Sequence, residues 1–201
     1  MKLTLLSAAA AAFLTLSTGA VASETPAVAT ADASTTPSLS TALFPPAGTV
    51  RVEDSPEAIK RLVKEHGADV LVVNFWATWC GPCVEELPYF VNLAKRYPES
   101  KVRVVGLSLD FPDQIETGVV PFLRKRGIPY SNMIVYVDDP QQVIEQFSKD
   151  WSGELPATFF FDRQGNKLGE LAFAVTQEQL DLAVEALVAG KPLPAIKPEN
   201  H

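Results

Sequence analysis

Apolar residues downstream of residue 48 follow two periods, one typical of strands and one typical of helices. Val70–Trp76 and Val102–Leu109 are nearly continuous apolar runs rich in β-branched residues. Such runs predict central strands that are covered on both faces. From Cys80 to Tyr97 the apolar residues instead recur every three or four positions, which predicts a helix. Ala157–Asp162 is a further strand, and Lys167–Ala174 returns beside it after a short turn.

Shorter elements complete the alternation, and two helices have clear start signals. Ser55 followed by Pro56 is an N-cap with proline at the first helical position. Thr176 and Gln179 form a capping box for the last helix. This order predicts an α/β sheet with an antiparallel hairpin at its C-terminal edge. The remaining predicted elements are a strand at Thr49–Val52, a helix from Pro56 closed by Gly67, a helix at Val119–Arg126, a strand at Met133–Val137 and a helix at Gln141–Asp150.

The ends of the chain have a different composition from its centre. Residues 1–22 contain a single charged residue, Lys2, followed by a short apolar run and then by small residues that suit a signal peptidase site. This order predicts a signal peptide. A retained N-terminal anchor is the alternative. Residues 23–47, rich in Ala, Ser, Thr and Pro, predict a flexible linker, and docking of Leu43 and Phe44 on the domain is the alternative. We therefore expect a folded domain at residues 48–190, a loose tail at 191–201, and little loss of stability when residues 1–47 are deleted.

The charge and the cysteine content exclude several classes of protein. The chain of 201 residues has a net charge of −7, which excludes a generic basic nucleic-acid binder. Only two cysteines are present, so a small domain stapled by disulfides is excluded as well. The predicted signal peptide places the mature protein in the periplasm of a bacterium.

The two cysteines, Cys80 and Cys83, lie where a buried strand gives way to a helix. The helix N-terminus offers unpaired N–H groups and positive potential, which stabilise a thiolate at Cys80. A spacing of three residues returns Cys83 to the same side of the first turn, within reach of a disulfide. We expect Cys80 to attack and the more buried Cys83 to resolve the mixed disulfide. A metal site would need two further ligands, and a purely structural disulfide would close too small a loop to stabilise much.

Phe75–Cys83 reads FWATWCGPC and resembles the active-site segment of thioredoxins. Glu86-Leu87-Pro88 narrows the resemblance to the secreted TlpA/ResA-like thiol–disulfide oxidoreductases of the thioredoxin superfamily. Leu155–Phe159 is similar to their cis-proline strand. The resemblance implies a thioredoxin-like fold: a mixed central sheet flanked by helices, with a βα insertion at residues 111–138 before that strand.

The resemblance also implies roles for individual residues. Thioredoxins carry a buried acid on the strand before the motif, whereas this chain has Asn74 there. The TlpA/ResA-like pattern supplies an acid at Glu86 instead, one helical turn after Cys83, where we expect it to move a proton. Glu85 is interpreted as a solvated surface acid. A cis bond before Pro156 would present the backbone of Leu155 to an extended substrate segment.

Trp79, beside Cys80, is expected to form part of an exposed apolar rim for substrate docking. Trp76 is interpreted as core, and Trp151 as either core or a border of that rim.

The leading hypothesis is a periplasmic thiol–disulfide oxidoreductase that reduces protein disulfides and needs no cofactor or metal. The resemblance implies roles in cytochrome c maturation or copper delivery, and electron supply by a membrane donor of the DsbD/CcdA type. We expect a monomer. The alternatives are a disulfide oxidant or isomerase, and a copper chaperone, which is disfavoured because no third ligand lies near the cysteines. A peroxidase is disfavoured too, because it would need a lone cysteine in a pocket of its own.

Overall fold

The computed structural model describes residues 43–199 of the chain. Six strands in this part of the chain form one mixed sheet. They are β1 (Val50–Glu53), β2 (Val70–Trp76), β3 (Val102–Ser108), β4 (Ser131–Val135), β5 (Ala157–Asp162) and β6 (Lys167–Leu171). The α-helices of this part of the chain are α1 (Pro56–Lys64), α2 (Gly81–Arg96), α3 (Val120–Arg126), α4 (Pro140–Phe147) and α5 (Gln177–Val188). A 3-10 turn (Pro112–Gln114) and a π-helical turn (Ile115–Val119) lead into α3.

The strand order is β1-β4-β3-β2-β5-β6. The first four strands of that order run parallel to their neighbours, whereas β5 and β6 are antiparallel. This is the predicted mixed sheet with a hairpin at one edge. Between β3 and β5 the chain adds α3, β4 and α4, so the predicted insertion before the cis-proline strand is confirmed.

Strand β2 lies inside the sheet and is buried along its whole length. Its side chains alternate between the two faces, as the pleat of a strand requires. Val70, Val72 and Trp76 pack in the apolar layer beneath α2 and α5. Leu71, Val73 and Phe75 pack in the opposite layer, beneath α1 and α4. Burial on both faces explains why the sequence of β2 is almost continuously apolar.

The predicted helix starts are confirmed, while several element ends shift by a few residues. Ser55 Oγ accepts a hydrogen bond from Ala58 N at 3.2 Å, and the capping box of Thr176 and Gln179 is formed at the start of α5. Strand β4 begins two residues before the predicted position, because its register is set by pairing with β1 and β3. A shift of this kind depends on distant strands, which local sequence signals do not report.

The predicted linker at residues 23–47 is wrong for its last residues. Leu43 and Phe44 are buried in the apolar layer beneath α1. The guanidinium of Arg103 lies 4.3 Å from the centre of the Phe44 ring, and Arg51 Nη2 donates to Leu43 O at 2.8 Å. Ser131 Oγ also donates a hydrogen bond to Pro45 O. The folded domain therefore begins by residue 43. The predicted signal peptide at residues 1–22 and the linker up to residue 42 lie outside the described residues.

The predicted loose tail at residues 191–201 also differs from the structure, which describes it as far as residue 199. Leu193 and Ile196 pack against the apolar layer of α2 and α5. Gln179 Nε2 donates to Lys197 O at 2.9 Å. The bare backbone of Gly169 makes room for this packing, since a Cβ there would lie 2.4 Å from Leu193 Cδ2. The tail is thus held by one apolar strip and a polar contact that the sequence pattern does not show.

His66 follows α1 and is buried. Its Nδ1 accepts a hydrogen bond from Ala68 N at 3.2 Å, so Nε2 carries the proton and donates to Asp162 O at 2.8 Å. Burial lowers the pKa of this imidazole below its ordinary value. His66 therefore joins α1 to the β5–β6 hairpin as a neutral side chain.

None of the helices within residues 43–199 is long and apolar enough to cross a lipid bilayer.

We expect Phe44→Ala to lower the free energy of unfolding by about 3 kcal/mol, because it removes a buried ring and leaves a cavity. Urea unfolding of the full chain measures the change. Leu182→Ala is the matched control, since Leu182 is 54% exposed, and its effect should stay within about 0.5 kcal/mol. Equal stabilities for the two variants would show that the segment before β1 does not hold the domain together.

Candidate active site

The sequence-predicted cysteine pair lies at the carboxyl end of β2, where α2 begins. Cys80 and Cys83 are joined in a disulfide, with their Cα atoms 5.3 Å apart. Cys80 occupies the N-cap position of α2, and its N–H donates to Ala77 O at 3.2 Å, which closes a tight turn between strand and helix. Pro82 lies in the first turn of α2, where its missing N–H leaves no hydrogen bond unmade.

The two sulfurs have different surroundings. Cys80 keeps 7% of its surface exposed, whereas Cys83 is completely buried. The backbone N–H of Cys83 donates to Cys80 Sγ at 3.3 Å. In the reduced protein this N–H and the helix N-terminus favour negative charge on Cys80. Cys80 is therefore the sulfur suited to attack, and Cys83 is the sulfur shielded from solvent.

Glu86 is a buried acid on α2, one turn after Cys83. Its Oε1 accepts a hydrogen bond from Asn74 Nδ2 at 2.8 Å, and its Oε2 accepts one from Val175 N at 3.1 Å. Burial raises the pKa of Glu86 to about 7, and the two hydrogen bonds oppose that rise because they favour the carboxylate. A carboxyl group with such a pKa can take up and release a proton near neutral pH.

Asn74 supports this acid from the neighbouring strand. Its side chain is buried on β2, and Nδ2 also lies 3.4 Å from Thr158 Oγ1 on β5. Because an amide cannot titrate in this range, Asn74 orients Glu86 and cannot replace it as a proton acceptor. Tyr130 is a second titratable group near this acid: its hydroxyl is buried, and the charge of Glu86 adds to the burial that raises the pKa of Tyr130.

The candidate substrate residues surround the end of β2. Trp79 is 64% exposed beside Cys80. The Leu155–Pro156 peptide bond is cis, as the resemblance implies. Ala157 pairs with Phe75, so Leu155 and Pro156 lie beside the point where the chain leaves β2 for the cysteines. Trp151 is buried and donates through Nε1 to Glu154 O at 2.9 Å, which makes it part of the core.

Asp110 is a further residue bound to the cysteine motif, and neither the motif nor the family resemblance indicated it. This residue follows β3 and is 1% exposed. Its Oδ2 accepts a hydrogen bond from Thr78 N at 3.0 Å, and its Oδ1 accepts one from Thr78 Oγ1 at 2.5 Å. The available signal was an acid directly after a buried strand parallel to β2, because such strands end at the same edge of a sheet.

A family model described as the AhpC/TSA family matches residues 47–166 of this chain. The thiol-disulfide oxidoreductase ResA of Bacillus thuringiensis (strain Al Hakam) is 31% identical over 109 residues, which is 54% of this chain and 58% of ResA. The thiol:disulfide interchange protein HelX of Rhodobacter capsulatus is 30% identical over 123 residues, or 60% of this chain and 62% of HelX. The chain thus matches about three fifths of the length of these relatives.

Solved structures of other proteins resemble this fold over about three fifths of the chain. A thioredoxin-related protein from Neisseria meningitidis serogroup B has a TM-score of 0.52 and 29% sequence identity, over 62% of this chain and 87% of its own. A thiol:disulfide interchange protein from Chlorobium tepidum TLS has a TM-score of 0.51 and 25% identity, over 63% of this chain and 84% of its own. These likenesses confirm the predicted thioredoxin-like fold.

Limiting iodoacetamide should label Cys80 of the reduced protein before Cys83 at neutral pH, because Cys80 is the less buried of the two and lies at the helix N-terminus. Peptide mapping by mass spectrometry identifies the labelled residue. The oxidised protein, in which both sulfurs are bonded, is the control. Faster labelling of Cys83 would reverse the order of attack.

Glu86→Gln should slow the resolution of a mixed disulfide about tenfold or more above neutral pH, because the variant lacks the proton acceptor. The wild-type rate should rise as the pH passes about 7, the pKa of Glu86, since its carboxylate forms there. Stopped-flow measurement of the rate against pH tests both statements. Glu85→Gln, which changes an exposed acid on the same turn, is the control. Coincident profiles for wild type and Glu86→Gln would remove Glu86 from the mechanism.

Proposed function

Because the chain belongs to the AhpC/TSA family, we propose that it is a thiol–disulfide oxidoreductase that reduces protein disulfides through Cys80 and Cys83. The observation that carries this proposal is the asymmetric cysteine pair: Cys80, at a helix N-terminus, keeps 7% of its surface exposed, whereas Cys83, one turn away, is fully buried. The names of ResA and HelX describe the same class of reaction. The disulfide between the two cysteines is the product state of such a reduction.

The proposed reaction has two exchanges. The Cys80 thiolate attacks one sulfur of a substrate disulfide, which releases the other substrate sulfur as a thiolate and leaves a mixed disulfide. Glu86 then takes the proton of Cys83, and the Cys83 thiolate attacks Cys80 Sγ. The Cys80–Cys83 disulfide forms and the second substrate thiolate leaves. Two electrons pass from the cysteine pair to the substrate.

Substrate contact in this proposal follows the surface beside Cys80. Trp79 offers an apolar side chain, and the backbone of Leu155, held by the cis bond to Pro156, pairs with an extended substrate segment. Such pairing is independent of the substrate's side chains, so it suits a protein that acts on more than one disulfide. The substrates are protein disulfides, and cytochrome c maturation is the process that the family resemblance suggests.

The reductive direction is supported by the residues between the cysteines. Gly81 and Pro82 offer no charged group that would stabilise a thiolate, and Glu85 adds a negative charge in the next turn. Both features favour the disulfide over the dithiol and lower the reduction potential. The signal peptide predicted at residues 1–22 supports a periplasmic location, where electrons must come from a membrane donor of the DsbD/CcdA type. We propose that the mature protein acts as a monomer.

We expect a reduction potential near that of thioredoxin, about −270 mV, because no group between the cysteines stabilises the thiolate. Equilibration with glutathione buffers, followed by quantification of the free thiols, measures the potential. Reduction of insulin by the dithiol form is the matching activity assay, with Cys80→Ser as the inactive control. A potential above about −180 mV would make the protein an oxidant or an isomerase.

A further inference from the structure

Asp110 is a buried acid outside the cysteine motif that is bound directly to it. Both oxygens of its side chain accept hydrogen bonds from Thr78, one from the backbone N–H and one from the hydroxyl. Ser108 Oγ donates to Asp110 Oδ2 at 2.6 Å and accepts from Asp110 N at 3.0 Å. Buried acids are rare unless they are paired in this way, since desolvation without partners destabilises the fold.

Thr78 lies in the turn that carries the attacking cysteine. The turn runs from Ala77 to Cys80 and is closed by the hydrogen bond from Cys80 N to Ala77 O. Asp110 holds the backbone and the side chain of Thr78 at once, so it fixes both the position and the rotamer of that residue. The end of β3 thereby determines where the loop after β2 places Cys80.

The position of Cys80 relative to α2 decides its reactivity. Cys80 Sγ accepts a hydrogen bond from the N–H of Cys83 at 3.3 Å. A small displacement of the turn would lengthen this contact beyond hydrogen-bond distance. Displacements of about 1 Å in an active site are known to slow reactions by up to about a hundredfold. The two hydrogen bonds from Thr78 to Asp110, which we call the clamp, can therefore influence the reactivity of Cys80 without contacting its sulfur.

We infer that Asp110 is a positioning residue, which acts through Thr78 to hold Cys80 at the N-terminus of α2 during thiol–disulfide exchange. The effect on the exchange rate rests on the proposed function, because only a thiol–disulfide oxidoreductase has such a rate. The clamp, meaning the two hydrogen bonds from Thr78 to Asp110, is seen directly in the structure. Thr78 is the second member of the clamp, and Ser108 orients the acid from the end of β3.

Thr78→Val tests the clamp with little change in side-chain shape, because it removes the hydroxyl and keeps the buried acid. We expect exchange with a model peptide disulfide to slow about tenfold. The thiol pKa of Cys80, measured by iodoacetamide alkylation against pH, should rise toward roughly 8.5, the value of a free thiol. Thr78→Ser keeps the hydroxyl and should restore both quantities to within about twofold of wild type.

Asp110→Asn tests the other member, since the amide keeps one accepting oxygen and replaces the other with an NH2 group, so that one of the two hydrogen bonds from Thr78 is lost. It should slow exchange to a similar degree. Asp113→Asn is the matched control, because Asp113 is an exposed acid three residues further along the same loop. Urea unfolding of every variant separates a loss of stability from a loss of reactivity.

A purely structural role predicts a different pattern. The inference is overturned if Thr78→Val lowers the stability but leaves the thiol pKa of Cys80 and the exchange rate unchanged. It is also overturned if Thr78→Ser fails to restore them, or if Thr78→Val and Asp110→Asn both fail to fold. Failure of the proposed function gives another result: the wild-type protein would not reduce the peptide disulfide. The alkylation measurement would still decide whether the clamp holds Cys80.

Discussion

The burial of the Glu86 carboxyl group, one helical turn after Cys83, is the constraint on which the rest of the site depends. Glu86 is held by an amide from β2 and a backbone N–H from the segment before α5, so it joins three parts of the fold. Its burial makes the charged form costly, and its two donors keep that form accessible near neutral pH. A buried carboxyl group with a pKa of about 7 therefore lies one helical turn from the buried Cys83, and the proposed exchange uses it to accept the thiol proton.

The sheet supplies the second requirement, which is to bring distant residues to one edge. The cysteine turn follows β2, Asp110 follows β3, and the cis-proline segment precedes β5. Because β2 is hydrogen-bonded to both β3 and β5, these segments are neighbours despite separations of tens of residues. The cysteine motif is thus supported from β3 and bordered by the segment that enters β5.

Local signals were sufficient for much of this arrangement. The apolar run of β2 and the caps at Ser55 and Thr176 were predictable because each depends on neighbouring residues. The cysteine pair was predictable from its spacing and its place between strand and helix, whereas Glu86 and the cis bond before Pro156 were implied by the family resemblance. Burial of Phe44, packing of Leu193 and the contact between Asp110 and Thr78 depend on residues distant in the sequence. Periodicity and composition carry no information about such partners.

The titration of Glu86 itself tests the central claim most directly. Carbon-13 NMR of side-chain carboxyl groups, with the Glu86 signal assigned by its absence in Glu86→Gln, follows that group through a pH series. The account predicts a midpoint of about 7 in the oxidised protein, where the disulfide cysteines do not titrate. A midpoint near 4.5, the ordinary value of a solvated glutamate, would contradict it, because a carboxylate of that basicity is a poor acceptor for the thiol proton of Cys83.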